Sequence, residues 1–504
     1  MNHPLFLALA LAGAGCRAHG PAPDEVVVLI ETMPGDIDPR LALTGYGAKL
    51  ARLVAAPLVN CDNDRLEPRG DLAQEIEQTG PREYRVTLRE ARFSDGRRVT
   101  AEDVAYTFTS AREGPLGDAY RRIAAIEVLD PRTLRFVLFE PHAPFITDLD
   151  LGIVPRGHAP GPDPVGAGPF RMISRDETQL VLERNPHYFT GRVRPRRLVF
   201  RVIRDDNARL LALVGGSADL TQNTVPPVVL DAVGRNDRLR VQSAPSSNLT
   251  YIGLNLDDPA LRDVRVRRAL AYALDREQIL RVKLRGRARL ATGMLAPLHW
   301  AYEPGVERYA FDPARARALL DEAGLHDPDG DGPQPRLRLH YKTSSKPDRI
   351  ALARVMAHQL GAVGIEVEVR TFELATLMDD VKRGNFQLFS LQVTEVSEPH
   401  YLHTFFHSSR IPTPKDLDAG RNRFRYRSAE LDRLVEEARK EPDRARRKVL
   451  YAEAQRVLAR DLPMIPLFHE DNVVVARREL RGYRLVPNAR FATLWQVWKD
   501  ASDR

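Results

Sequence analysis

The sequence predicts an α/β fold that extends over more than one domain. With 504 residues, the chain is longer than one hydrophobic core usually allows, so we expect two or three domains. Residues 337–341 alternate apolar and polar side chains, residues 352–360 place apolar side chains on one face of a helix, and residues 365–369 alternate again. This strand–helix–strand order normally joins neighbouring parallel strands of an α/β sheet.

Other short elements follow the same patterns along the chain. Residues 84–89 alternate apolar and polar side chains, as expected for a strand with one buried face. Residues 198–203 are more continuously apolar, which indicates a central strand. Residues 431–438 repeat apolar side chains at helical spacing. Residues 157–168 are rich in glycine and proline, so we expect a linker there.

An apolar run at the amino terminus predicts export. Residues 5–14 are too few to cross a bilayer as a helix, but they suit the core of a signal peptide. The run ends in Gly-Ala-Gly before Cys16, which resembles the cleavage box of bacterial lipoproteins. We therefore expect residues 1–15 to be a signal peptide and Cys16 to carry a lipid, the alternative being a plain signal peptide. Cys61 then lacks a disulfide partner, and we expect it to be a small buried side chain.

The chain is basic, with a formal net charge of +7 and a pI near 9.4. A basic balance can indicate binding to nucleic acid or to an anionic surface. Here the arginines are scattered among acids, and the sequence has no basic block interleaved with aromatic residues. Together with the export signal, this pattern predicts a solvated, arginine-rich surface and no nucleic-acid partner.

The sequence shows no motif of a hydrolase or of a nucleotide-binding enzyme. It lacks G-x-S-x-G, H-E-x-x-H and the glycine patterns of phosphate-binding loops. His469 and Glu470 have no second histidine after them, and Pro169 removes an N–H that a phosphate would need. We therefore expect neither catalysis nor a cofactor. A secreted hydrolase with a triad assembled from distant residues stays an alternative.

Two clusters have the residue types of metal ligands. Asp327, Asp329 and Asp331 fit the first half of a calcium loop, but Arg338 stands where the loop needs its last acid, so a plain turn is the preferred interpretation. The histidines at positions 400, 403 and 407 would share one face of a helix and could bind a transition metal. A structural role is the more frequent one for such histidines, so we predict no metal site and keep both clusters as weak candidates.

Residues 93–108 carry the most informative motif, FSDGRRVTAEDVAYTF. Asp95 and Gly96 supply a tight turn in which glycine can take a positive φ. Thr100 can cap a helix whose first turn carries Glu102 and Asp103, acids that complement the helix dipole. Local chemistry alone predicts a strand–turn–helix joint. The string as a whole resembles the signature of the family-5 extracytoplasmic solute-binding proteins of ABC importers, which carry peptides, nickel complexes or oligosaccharides.

Further motifs of that family occur in the same order from about residue 25 to residue 500. They are IDP at residues 37–39, DLA at 71–73, YRVTLR at 84–89, VGAGPF at 165–170, ERNPHY at 183–188, GSAD at 216–219, VRVRRALAYALDR at 264–276 and LPMIPL at 462–467. Collinear similarity of this extent identifies the chain as a member of the family.

The resemblance implies a two-lobed periplasmic-binding-protein fold of type II with an inserted extra domain. We expect lobe I to gather residues 22–45, 166–248 and 475–504, the inserted domain to comprise residues 46–165, and lobe II to comprise residues 249–474. A chain that crosses twice between the lobes provides a hinge for closure.

The implied function is capture of a small solute outside the cytoplasmic membrane and its delivery to the membrane subunits of an ABC permease. We expect a monomer in the periplasm or cell envelope, anchored by the lipid on Cys16. Oligo- or dipeptides are the preferred solute. A nickel complex, an oligosaccharide or a sensor role without transport are the alternatives.

The resemblance also implies ligand-binding positions. Glu395 occupies the place of the aspartate that pairs with a peptide's α-ammonium in peptide-binding relatives, and the backbone around Val393 would pair with the extended peptide. Tyr106, Gly45 and Tyr251 match positions that line the pocket in those relatives. The alternative is that Glu395 is an ordinary surface acid on a loop that has diverged.

Overall fold

A computed structural model describes residues 22–330, 332–418 and 420–500. Over these residues, strands and helices are interspersed along the chain, as in an α/β fold. The strands are β1 (Glu25–Ile30), β2 (Val59–Asn60), β3 (Arg69–Gly70), β4 (Ala73–Gly80), β5 (Glu83–Leu88), β6 (Ile123–Asp130), β7 (Thr133–Leu138), β8 (Phe170–Arg175), β9 (Gln179–Arg184), β10 (Arg197–Val202), β11 (Leu220–Gln222), β12 (Leu239–Ala244), β13 (Leu249–Leu254), β14 (Ala288–Leu290), β15 (Leu337–Ser344), β16 (Ile365–Phe372), β17 (Leu388–Val393), β18 (Met464–Glu470), β19 (Asn472–Arg477), β20 (Leu480–Arg481) and β21 (Trp498–Lys499).

The helices lie between these strands and on the faces of the sheets. They are α1 (Gly45–Val54), α2 (Ala101–Glu113), α3 (Gly117–Tyr120), α4 (Phe145–Asp148), α5 (Asp206–Val214), α6 (Leu230–Gly234), α7 (Pro259–Arg262), α8 (Val264–Tyr272), α9 (Arg276–Val282), α10 (Pro313–Glu322), α11 (Pro347–Gly361), α12 (Leu374–Arg383), α13 (Tyr401–Phe406), α14 (Ala429–Lys440) and α15 (Arg444–Asp461). In this described part of the chain, no helix has the length and apolar character needed to cross a bilayer.

The first large sheet has seven strands in the order β12-β19-β11-β1-β10-β9-β8. The strand β1 lies inside it, parallel to both β10 and β11, and residues 26–30 of β1 are buried. Their unbroken run of Val, Leu and Ile suits a strand with helices or loops on both faces. The helix α1 packs Leu50, Leu53 and Val54 into the core beneath this sheet.

The second large sheet has six strands in the order β14-β18-β13-β17-β15-β16. Its strands β15 and β16 are parallel, with Leu337 opposite Ile365, and α11 connects them. The strand–helix–strand unit predicted from residues 337–369 is therefore confirmed. Leu352, Met356 and Leu360 of α11 are buried against this sheet.

A smaller, four-stranded antiparallel sheet in the order β4-β5-β7-β6 lies between α1 and β8 in the sequence. The predicted alternation in residues 84–89 is real, because Tyr84, Val86 and Leu88 are buried in its core. The helix α2 begins as predicted. The carboxylate of Asp103 accepts hydrogen bonds from the backbone N and Oγ1 of Thr100, at 2.7 Å each.

The chain passes twice between the two large sheets. One crossing is residues 245–248, between β12 and β13, and the other is Asp471, between β18 and β19. The two crossings are neighbours, since the side-chain amide of Asn248 lies 3.4 Å from the amide oxygen of Asn472. Residues that are distant in the sequence therefore meet where the sheets join.

Candidate functional site

Glu395 lies just beyond the end of β17, where the backbone turns sharply. Its φ is 59°, in the left-handed region that non-glycine residues adopt at a cost. The amide oxygen of Asn248, in one of the two crossing segments, accepts a hydrogen bond from the Glu395 backbone N at 3.4 Å. The turn directs the chain away from the sheet and leaves the side chain partly buried, with 14% exposed.

Arg490 binds this carboxylate from the carboxyl-terminal part of the chain. Its Nε and Nη2 each lie 3.1 Å from Oε2 of Glu395. Its Nη1 donates to Oδ2 of Asp150 at 2.7 Å and lies 3.4 Å from Oδ1 of Asp62. One guanidinium group therefore joins three acids that are 95, 340 and 428 residues away in the sequence.

A second arginine completes the network. Arg52 of α1 contacts Asp150 and lies 4.0 Å from Asp62. The side-chain amide of Asn488 donates to Asp62 at 2.8 Å. We call Arg490, Glu395, Asp150, Asp62 and Arg52 the ionic network. Three carboxylates face two guanidinium groups in direct contact, so the formal charge of the network is negative.

The electrostatics of the network favour its charged form. Burial alone would raise the pKa of Asp62, but Arg490 and Arg52 hold that pKa below its ordinary value. Burial would lower the pKa of Arg490, yet Glu395 and Asp62 more than offset this effect and raise it. Lys49 of α1 is a further cation near Glu395, outside direct contact with it. Burial lowers its pKa, and the charge of Glu395 offsets part of that lowering.

One oxygen of the network remains available. Oε1 of Glu395 is buried and accepts no hydrogen bond from any residue in the described ranges, while Arg490 uses only Oε2. A buried, unpaired carboxylate oxygen is costly unless a donor reaches it. The arrangement can therefore accept a hydrogen bond from a cationic or N–H group of a ligand.

A cavity of about 120 Å³ adjoins the network. Arg490, Arg52 and Asp150 form its charged wall. The remaining lining is mostly small and apolar and comes from α1, from the loop before it and from residues near α3 and α4: Pro39, Ala42, Ala48, Ala51, Ala55, Leu116, Tyr120, Leu151 and Gly152.

The other predicted ligand residues do not all converge on Glu395. Val393 lies opposite Leu249, and Tyr251 lies on the same neighbouring strand, β13. Tyr251 is buried with Phe389 and Phe424, and burial raises its pKa to about 12. Its ring is therefore part of the core beneath the loop.

Tyr106 and Gly45 lie elsewhere. The Tyr106 hydroxyl donates to the backbone oxygen of His158 at 2.8 Å, and Arg40 lies over its ring. Gly45 is the exposed first residue of α1, and a side chain there would meet no atom within 4 Å. The roles of both residues in ligand binding stay predictions.

The predicted acidic loop is a turn with its own contacts. The backbone N of Gln334 donates to Asp329, and Arg336 pairs with Asp327 at 3.3 Å. Asp331 and the lipidation candidate Cys16 lie outside the described residues. Cys61 is buried, and burial raises its pKa to about 12, so the thiol is unreactive at neutral pH.

The three histidines do share one side of α13. The rings of His400 and His403 stack with centroids 5.0 Å apart, and those of His403 and His407 stack at 4.5 Å. The ring of His142, from the segment before α4, packs edge-on against His400 at 5.0 Å. Sequence spacing predicted the common face, but not the fourth ring.

Sequence reasoning missed most of the ionic network. Arg490, Asp62, Asp150 and Arg52 belong to four separate segments, and none stands in a local motif that marks it as functional. The left-handed backbone at Ala489, whose φ is 57°, helps to aim Arg490 but follows from no sequence pattern of glycine or asparagine.

Comparison with known proteins places the chain in context. A family model described as bacterial extracellular solute-binding proteins, family 5 Middle, matches residues 67–413. Di/tripeptide-binding protein 2 of Pseudomonas aeruginosa is 27% identical over 428 residues, which cover 78% of each chain. Oligopeptide-binding protein AppA of Bacillus subtilis is 27% identical over 466 residues, which cover 86% of this chain and 84% of the relative.

Solved structures establish the architecture. NikZ of Campylobacter jejuni, in complex with Ni(L-His), superposes with a TM-score of 0.83 at 21% identity, covering 95% of this chain and 100% of that chain. AppA of Bacillus subtilis, in complex with a nonapeptide, gives 0.82 at 24% identity, covering 95% and 99%. The predicted two-lobed periplasmic-binding-protein fold is confirmed.

Proposed function

Because this chain belongs to the bacterial extracellular solute-binding proteins of family 5, we propose that it captures short peptides between its lobes and delivers them to the permease of an ABC importer. The peptide binds the closed arrangement of the lobes more tightly than the open one. The difference between the two binding free energies is the amount by which capture stabilises the closed arrangement. The permease would then receive the closed form.

The observation that carries this proposal is the state of the Glu395 carboxylate. Arg490 fixes Oε2, and Oε1 is buried without a donor among the described residues. An α-ammonium has three N–H donors and a full positive charge, so it can satisfy Oε1 and offset the negative charge of the ionic network. A neutral sugar would satisfy the oxygen but would add no charge interaction with the Glu395 carboxylate.

The neighbouring strand supports an extended ligand. On one side, β17 pairs with β13 as far as Val393. On the other side, β15 pairs with β17 at Leu388 and Phe389. Ser390 still contacts β15, since its Oγ lies 3.1 Å from Oγ1 of Thr343. Over the described ranges, residues 391–393 have no strand partner on the β15 side, so a peptide backbone could add there as a short strand. Such pairing accepts many side chains.

The relatives agree with this choice of solute. The names of the Pseudomonas aeruginosa and Bacillus subtilis relatives describe binding of di- and tripeptides and of oligopeptides. A third relative, the probable D,D-dipeptide-binding periplasmic protein DdpA of Escherichia coli, is 25% identical over 512 residues, which cover 96% of each chain.

The proposal is tested by calorimetry on the full-length chain after bound ligands have been removed by unfolding and refolding. The titrants are dialanine, trialanine, a nickel–histidine complex and a maltooligosaccharide. We expect the peptides to bind and to raise the melting temperature by mass action, while the other two give no heat of binding. If only the nickel complex or only the sugar binds, that solute would take the place of the peptide as the proposed ligand.

Two further outcomes separate the remaining alternatives. Turnover of a titrant without thermal stabilisation would favour a hydrolase. Peptide binding without loss of peptide uptake in a deletion strain would favour a sensor. Loss of uptake that returns with the wild-type gene supports delivery to a permease.

We also propose that the protein is anchored to a membrane by a lipid on Cys16. The family is extracellular by its description, and the apolar run before Cys16 supports an export signal. Wild-type protein should incorporate radiolabelled palmitate and fractionate with membranes, whereas Cys16→Ser should do neither. Wild-type protein that takes up no label would leave a plain signal peptide.

The division of the chain and its oligomeric state are part of the same proposal. We propose that the protein acts as a monomer with lobe I built on the first large sheet, the inserted domain on the four-stranded sheet and lobe II on the second large sheet. The bounds predicted from the sequence then shift at two places. The helix α1 (Gly45–Val54) joins lobe I, because it packs beneath the first large sheet, and lobe II ends at Asp471, because β19 belongs to the first large sheet. Sedimentation equilibrium should give the mass of one chain with and without peptide. A dimer mass in either state would contradict this.

A further inference from the structure

We propose that His403, His407 and Glu436 form a binding site for a late first-row divalent transition metal, with Zn²⁺ as its best-suited ion. Their donor atoms converge. Nε2 of His403 lies 3.4 Å from Oε1 of Glu436, and Nε2 of His407 lies 3.6 Å from the same oxygen. All three donor atoms lie within 4.8 Å of one another.

These separations approach those of a zinc site. Ligands about 2.0–2.2 Å from a tetrahedral Zn²⁺ lie about 3.3–3.5 Å from each other. Both distances to Glu436 are close to that range. Because the two rings stack with their planes 23° apart, one ring must rotate out of the stack before both lone pairs can point at one ion. Two imidazoles and one carboxylate, with a water in the fourth position, are a common zinc ligand set. Calcium and magnesium prefer oxygen ligands alone.

The fold holds the three side chains together through two helices. His403 lies within α13, His407 caps its carboxyl end, and Glu436 lies on α14. Both histidines are almost fully buried, whereas 31% of the Glu436 side chain is exposed. The exposed carboxylate gives an ion a route from solvent and leaves a coordination position open to water.

The charge states suit a cation. An imidazole binds a metal through the lone pair of its neutral form, and burial of a histidine disfavours its charged form. The carboxylate of Glu436 lies beside the cationic groups of Arg439 and Lys440, which favour its ionised form. The site therefore offers two imidazole nitrogens and one carboxylate oxygen.

Neighbouring groups orient the ligands. Arg439 and Lys440 contact Oε2 of Glu436 at 3.1 and 3.6 Å, which leaves Oε1 for the metal. Asp432, fixed by the backbone N of Ser408 at 2.9 Å, lies 3.8 Å from Nε2 of His407 and can bind the metal-bound water.

Binding requires a change of tautomer at His407. Without metal, its Nδ1 accepts a hydrogen bond from the backbone N of Ser409 at 3.1 Å, so the ring proton is on Nε2. With metal on Nε2, the proton moves to Nδ1. There it can be donated to Oγ of Ser409, which lies 2.7 Å away, while the backbone N–H of Ser409 loses Nδ1 as its acceptor. The ring stays neutral, and no proton is lost from it.

The site is distinct from the ionic network and from the peptide proposal. None of its three residues belongs to the ionic network or lines the adjoining cavity. Its metal would join α13 to α14 whether or not the protein binds peptides. The two proposals can therefore fail independently.

The test uses the full chain without a histidine tag, treated with EDTA, dialysed and titrated with zinc chloride in a calorimeter. We expect one Zn²⁺ per chain and a higher melting temperature. The double variant His403→Gln/His407→Gln and the variant Glu436→Gln should each weaken binding at least tenfold. The matched control His340→Gln, which changes an exposed histidine paired with Glu368 on the second large sheet, should bind like the wild type.

A second readout shows the ligand set directly. Cobalt(II) in a tetrahedral site with two nitrogens should give visible absorption bands, which Glu436→Gln should shift or remove. Because Glu436 is partly exposed, this variant keeps the test valid if the double histidine variant fails to fold. Absence of binding in the wild type, or unchanged affinity in Glu436→Gln, would overturn the proposal.

Discussion

Arg490 and Glu395, 95 residues apart in the sequence, form a two-nitrogen ion pair with both contacts at 3.1 Å on one carboxylate oxygen. The pair joins the carboxyl-terminal segment to the loop after β17, next to the two places where the chain crosses between the large sheets. It leaves the second oxygen of Glu395 without a donor among the described residues. The role of Glu395 in ligand binding stays a prediction.

The first prediction concerns Arg490 itself. Arg490→Met should lower the free energy of unfolding by about 3–5 kcal/mol, because it leaves Glu395, Asp150 and Asp62 with fewer cations in a buried site. Urea denaturation at pH 7 measures the change. Arg338→Met is the control, since it removes an exposed arginine paired with Glu366 and should cost less than about 1 kcal/mol. Equal losses in the two variants would show that the ionic network adds no special stability.

The second prediction concerns pH. Burial lowers the pKa of His299 and of His469 to about 4, from an ordinary value of 6.5. The unfolded chain therefore binds these protons first as the pH falls. The neutral, buried imidazoles therefore make their full contribution to the free energy of unfolding above pH 6.5. This contribution is lost between pH 6.5 and 4, with about 2 kcal/mol lost per histidine by pH 5.

His469→Gln isolates one of these groups. Nδ1 of His469 donates to the backbone oxygen of Asn248 at 3.0 Å, and its buried Nε2 has no partner in the described part of the chain. Between pH 7.5 and 5, the free energy of unfolding should fall by about 2 kcal/mol less in the variant than in the wild type. Urea denaturation at each pH measures this fall. The exposed His340→Gln serves as control. Parallel pH profiles for wild type and His469→Gln would refute the assignment.

The third prediction concerns packing between β13 and β17. A Cβ on Gly253 would lie 2.3 Å from the Phe389 ring, which Phe386 and Phe424 hold in place. Gly253→Ala should therefore destabilise the protein by about 1–3 kcal/mol or more. Gly361→Ala is the opposite case, because this residue ends α11 and a Cβ there meets no atom within 4 Å. It should raise stability by up to about 1 kcal/mol. Thermal or urea unfolding that shows no difference between the two variants would contradict the packing described here.

Individual strands and helices could be predicted from the sequence because their signals are local, whereas the two-lobed fold was implied by the family resemblance. The alternation in residues 337–341 and 365–369, with an apolar helical face between them, led directly to parallel strands β15 and β16. Thr100 and Asp103 marked the start of α2 in the same way. Each of these features depends on residues within one element or one turn.

The candidate site was less predictable because its contacts are between distant segments. Glu395 could be found by resemblance, but Arg490, Asp62 and Asp150 could not, since their meeting depends on the path of the whole chain. The histidine cluster shows the same limit. Helical spacing placed His403 and His407 together, whereas Glu436 comes from the next helix and has no sequence relation to them.

The last prediction tests the role of Glu395 as the partner of a ligand's amino end. Calorimetry should show that the wild type binds dialanine at least tenfold more tightly than N-acetyl-dialanine, and that Glu395→Gln loses about 2–5 kcal/mol of dialanine binding. The control variant Glu366→Gln changes an exposed acid on the second large sheet and should bind dialanine like the wild type. Equal affinity of the wild type for dialanine and N-acetyl-dialanine would contradict the account.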